Sequence, residues 1–93
     1  MMNGDILEED FEKLRHMVGA CYAKAKRGRR NSYVAADVDI PSMERLVTHG
    51  MVILVRGVNP ELTGGAPLYR ATKKGCLAAG LHKAAIARAM EVR

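Results

Sequence analysis

The sequence predicts a single α+β domain, mainly helical, and three observations carry that prediction. Apolar residues recur at steps of three and four from Leu7 to Ala25, the spacing of a helix that buries one face, and a second such pattern starts at Leu77. Between them lie two short runs of strand formers, residues 51–55 and 68–71, separated by a loop holding Asn59, Pro60, Gly64, Gly65 and Pro67. That arrangement is the mark of an antiparallel hairpin. Finally, 93 residues are too few to stabilise two separate cores, so residues 1–93 are expected to form one unit. Hydrophobic residues make up 48% of the chain but aromatics only 4%, with no Trp and one Phe. The core must therefore be built from Leu, Val, Ile, Met and Ala, which suits helices packed at short range.

A first helix is expected over residues 6–27. Asp5 followed three positions later by Glu8 forms a capping-box-like start, and the acidic stretch 1–12 matches the positive end of the helix dipole. Leu7, Phe11, Leu14, Val18, Cys21 and Ala25 then draw one stripe, until Gly28 offers a left-handed stop. Residues 29–38 admit two readings. A short helix capped by Asn31 or Ser32 and running through Tyr33, Val34 and Ala36 is preferred; a strand beginning at Tyr33 is the alternative. Pro41 suits the first turn of a helix, Met43, Leu46 and Val47 recur at helical spacing, and Gly50 stops it, which predicts a helix over 41–49. Strands follow at 51–56 and 68–71. Thr72 then caps a last helix over 73–90, with Leu77, Leu81 and Ala84 on one side and the small residues Cys76, Gly80, Ala84 and Ala87 on another.

Two phrases sharpen this order of elements: Arg45-Leu46-Val47-Thr48-His49-Gly50-Met51-Val52 and Tyr69-Arg70-Ala71-Thr72-Lys73-Lys74-Gly75. Together they resemble a winged helix-turn-helix domain of the MarR-like and PadR-like regulators. The first resembles the end of a recognition helix running through Gly into the first wing strand; the second resembles the exit from the wing. The resemblance covers roughly residues 32–82. It implies a helix-turn-helix region at 32–50, one β-hairpin wing at 51–71, and flanking N- and C-terminal helices, the latter at 72–93. Ala71 stands where the family pattern prefers Leu, and the loop 57–67 carries Glu61 but no Lys or Arg, where a wing that grips DNA usually presents cations. Apart from any family, Tyr69 and Ala71 share one strand face and should point inward, and Gly75 lets the next helix pass close to a neighbour.

Charge gives the functional direction. The net charge is +5, but five of the ten acids lie in the first twelve residues, which hold no Lys or Arg. The remainder sets fifteen cations against five acids, a net of +10. This asymmetry points to nucleic acid or an acidic partner, with a merely solubilising surface as the alternative. Lys24, Lys26, Arg27, Arg29 and Arg30 are five cations in seven residues with no acid between them, a run able to neutralise phosphates without reading sequence. If Met43, Leu46 and Val47 are buried, then Ser42, Glu44, Arg45, Thr48 and His49 face outward. Arg45 there suits a guanine edge, and Ser42 or Thr48 a base or phosphate, unless the face is simply solvated. Lys73 and Lys74 oppose the dipole at a helix start, which a nearby phosphate would justify, and Arg70 in the same phrase joins the set. The expected partner is double-stranded DNA and the expected role is transcription regulation. The alternative uses the same fold to bind protein, as a small phage or mobile-element product that blocks a host nucleoprotein complex would.

Other classes are disfavoured. His16, His49, His82, Cys21 and Cys76 show no metal-ligand spacing and no nucleophile signature, so neither an enzyme, a metal nor a cofactor is expected. The two cysteines are better read as buried thiols than as a bridge. The longest apolar run, 51–55, is far too short to cross a bilayer, and the acidic start does not suit a secretory signal, which leaves the cytosol. Surplus length in the outer helices predicts a homodimer, or the same surface on a partner protein, through Met17, Cys76, Gly80, Ala84, Ile86, Ala87 and Met90. Two-fold symmetry would then match a palindromic site.

Overall fold

A computed structural model of the protein describes residues 6–20, 28 and 31–91. Helix α1 spans Glu8–Met17 and strand β1 Tyr33–Val34; a 3₁₀ turn, Asp37–Asp39, runs directly into α2, Ile40–Thr48. Strand β2 (Val52–Leu54), a one-turn helix α3 (Pro60–Thr63) and strand β3 (Leu68–Ala71) follow, and the described chain finishes with α4 (Lys73–Ala78) and α5 (Lys83–Glu91). The strands form one antiparallel sheet in the order β1-β3-β2, with Tyr33 opposite Tyr69 and Val52 opposite Ala71. The molecule is thus the helical α+β protein that the sequence predicts. No helix among the described residues is long and apolar enough to cross a membrane.

The core lies where the helices meet the inner face of the sheet, and Leu14, Met17, Val18, Met43, Leu46, Val52, Cys76 and Ala85 are fully buried there. Tyr69 and Ala71 alternate inward along β3, as the two-residue period of a strand requires. Thr72 caps α4 by accepting from the Gly75 N–H at 3.1 Å, while its own hydroxyl donates to the Gly50 carbonyl at 2.7 Å. A side chain at Gly75 would collide with the Met51 backbone carbonyl, so glycine alone lets α4 start against the strand.

Among the described residues, three helices end in one way. At Gly19, Gly50 and Gly80 the backbone takes φ of 72°, 75° and 87°. In each case the glycine N–H donates three residues back and the next N–H five residues back: Ala20 to Arg15, Met51 to Leu46 and Leu81 to Cys76, at 2.9–3.1 Å. This is the Schellman closure, and Ala20, Met51 and Leu81 are all buried beneath it.

These closures account for two departures from the sequence reading. α1 ends at Met17, not near residue 27, because Gly19 turns the chain; Asp5, Cys21 and Ala25 lie outside the described residues. The expected continuous helix over 73–90 is two helices, broken at Gly80. Cys76, Gly80, Ala84 and Ala87 therefore do not share a helix face. The third departure is at Tyr33–Val34, which form a strand where the sequence pattern favours a short helix. The open edge of β3 needs partners for its backbone groups, and a strand supplies them. Residues 32–50 accordingly hold a strand, a 3₁₀ turn and one α-helix. In the 57–67 loop, Asn59 caps α3 by accepting from the Glu61 N–H at 2.9 Å.

Candidate nucleic-acid interface

The outward face of α2 is set by one ion pair. Asp10 on α1 is only 1% exposed. Its two oxygens accept from Arg45 Nε at 2.7 Å and Nη2 at 2.8 Å, the fork geometry that makes Arg–carboxylate pairs strong. Nη2 also donates to Ser42 Oγ at 3.3 Å. The Arg45 guanidinium holds the Asp10 carboxyl below its ordinary pKa against burial, which pushes the other way, with Ser42 and Lys13 assisting. The same bond raises the Arg45 pKa.

This pair turns the 42–45 side of α2 toward α1 and corrects the expected orientation. Ser42 is buried, Arg45 is committed to Asp10, and Val47, expected inside, is 40% exposed. Thr48 donates its hydroxyl to the Glu44 carbonyl at 3.1 Å, and His49 is half-buried at the helix end. What α2 presents outward is Pro41, Glu44, Val47 and Thr48, a poor set for reading base edges.

The remaining candidates divide. Arg70 donates to the Ala89 carbonyl at 3.4 Å, in the last turn of α5 where carbonyls attract a cation. Lys73 and Lys74 are exposed, and the Lys74 side chain passes Gly50 at the carbonyl end of α2. Lys24, Lys26, Arg27, Arg29 and Arg30 lie outside the described residues. Gly28, within this run, and Asn31, directly after it, are held by hydrogen bonds to the rest of the fold. Gly28 donates its N–H to the Val18 carbonyl at 2.9 Å and packs against α5, where a side chain would strike the Ala85 carbonyl.

Asn31, fully buried, directly follows the run, and its role is not visible in the sequence. Its Oδ1 accepts from the Ala71 N–H at 2.7 Å, and its Nδ2 donates to the carbonyls of Ala71 at 3.2 Å and Ala89 at 3.1 Å. The carboxamide thus completes the edge of β3 one step beyond β1 and ties it to α5. Asn31, the residue after the basic run in sequence, is thus held at Ala71, two residues before Lys73. An Asn between two arginines and a Ser carries no sequence mark of such a clamp.

Of the residues expected at a dimer or partner surface, Met17 and Cys76 are in the core instead, because α1 and α4 turn them toward it. Ile86 is mostly buried, while Gly80, Ala84, Ala87 and Met90 are exposed. Cys76 is a free thiol whose pKa burial pushes up. Among the described residues no three His, Cys, Asp or Glu side chains gather as metal ligands would. No family model, curated protein or solved structure matches the chain.

Proposed function

We propose that this protein is a winged-helix-like module that holds double-stranded DNA by its phosphates and does not read bases through α2. The observation that carries this reading is the Asn31 clamp, which ties the residue following the 24–30 basic run in sequence to the strand that leads into Lys73 and Lys74. The residue that directly follows one cation cluster in sequence is thereby held two positions before the other. The sheet order and the hairpin directly after α2 support a winged-helix relationship, with the 3₁₀ turn standing where a first helix of the helix-turn-helix would be. The net charge of +10 beyond residue 12 supports a phosphate partner. A regulator of transcription built this way acts by occupancy, and its choice of site comes from DNA shape or from a second protein.

The test is a titration of random-sequence duplex at several salt concentrations. Binding should weaken steeply with salt, and Arg29→Ala with Arg30→Ala should flatten the log–log slope by about 0.9 for each phosphate no longer neutralised. Arg45→Ala should leave discrimination among duplex sequences as it was. Absence of binding to random duplex at low salt would end this reading.

A further inference from the structure

We propose that the groove between α4 and α5 docks an acidic amphipathic segment of another protein. The groove has a volume of about 440 Å³ and is lined by Lys73, Leu77, Leu81, Lys83, Ile86 and Met90, with Ala87. Leu81 and Ile86 form a largely buried floor. Leu77 on one wall is 60% exposed and Met90 on the other 44%, so two large apolar side chains face water across a shared depression. Covering such a patch is favourable in proportion to the apolar area removed from water.

The charge at the rim selects the occupant. Each wall begins with a lysine and continues one turn later with an apolar residue: Lys73 to Leu77 on α4, Lys83 to Ala87 on α5. Among the described residues no acid lines the groove. An apolar stripe flanked by Glu or Asp on a partner helix meets both features at once. Duplex DNA does not, since an apolar floor offers phosphates nothing. A second copy seated groove to groove brings four lysines together, and like charges at an interface are penalised. The groove shares only Lys73 with the phosphate-binding reading, so the two stand or fall separately.

The experiment uses the full chain and a synthetic helical peptide with Leu at positions i, i+4 and i+7 flanked by Glu, beside a twin with Lys in place of Glu. Fluorescence anisotropy should show the Glu peptide binding and the Lys peptide not. Leu77→Ser, at an exposed position that the fold tolerates, should weaken binding by about tenfold or more. Lys83→Glu sets one acid against Lys73 and should abolish the preference between the peptides; an acid at that helix start also suits the dipole, so the fold is kept. Duplex binding by both variants should persist, which separates a failed groove from a failed nucleic-acid reading. Equal binding of the two peptides by the parent chain, binding indifferent to Leu77→Ser, or a dimer in sedimentation that Leu77→Ser breaks would each overturn the proposal.

Discussion

Arg45 takes its role from a residue 35 positions away. Read as a helix in isolation, α2 has Ser42 and Arg45 on its polar side, and amphipathic patterning sends polar residues to water. A buried Asp10 on α1 reverses that by offering a charge that needs a cation, and no local pattern announces it. The consequence is measurable by pH. The folded-state pKa of Asp10 lies below its ordinary 3.8, so the stability it contributes is fully present above that value and is lost as pH falls from there through the folded value. Arg45→Met removes the partner and leaves a buried carboxylate without its cation. The variant should melt at a lower temperature at neutral pH, and its melting temperature should fall less steeply than the parent's on acidification below about pH 3.8. An acid limb identical in parent and variant would show that Arg45 does not set the Asp10 titration.

At the scale of elements, how much the sequence reveals depends on what competes with each glycine. Gly50 is legible as a stop because the apolar pattern changes from helical to strand-like across it. Gly19 and Gly80 are not, since apolar residues continue at steps of three and four on both sides, as from Val18 to Cys21 and from Leu77 to Leu81. A glycine followed by a buried apolar residue marks all three closures, yet Gly75-Cys76 shows the same pair inside α4, so the pair alone does not decide. The hairpin and the Thr72 cap are legible because strand alternation and capping chemistry are local. Asn31, which joins β3 to α5, is not, because its partners are 40 and 58 positions away. Asn31→Ala leaves the Ala71 N–H and two carbonyls without this partner, and each such buried group costs about 1–3 kcal/mol. Urea unfolding should show a loss of at least about 2 kcal/mol with an unchanged denaturant slope. A loss no greater than about 0.5 kcal/mol, the size of a surface substitution, would show the carboxamide to be dispensable.

The whole molecule is a slab of 33 × 28 × 18 Å. The α+β class and the single core are legible in composition and periodicity; the joining of distant segments to the sheet is not, because it rests on a few long-range hydrogen bonds. Cys76 lies at the centre of that core with its thiol held protonated by burial, so it reports on the structure as a unit. Labelled with a thiol reagent at neutral pH and followed by peptide mapping, Cys76 should react only as fast as the protein opens, and at once in denaturant. Labelling of the folded protein at the rate of the denatured chain would place the thiol outside the core. The Asn31 clamp also bears on how the protein is made. A growing chain that has left the ribosome only as far as residue 80 holds the residues of α1, α2, the hairpin and α4. It still lacks the Ala85 backbone that Gly28 packs against and the Ala89 carbonyl that Asn31 and Arg70 share. The joint that Gly28 and Asn31 make with α5 therefore closes only once α5 has emerged, after every other described element is already outside.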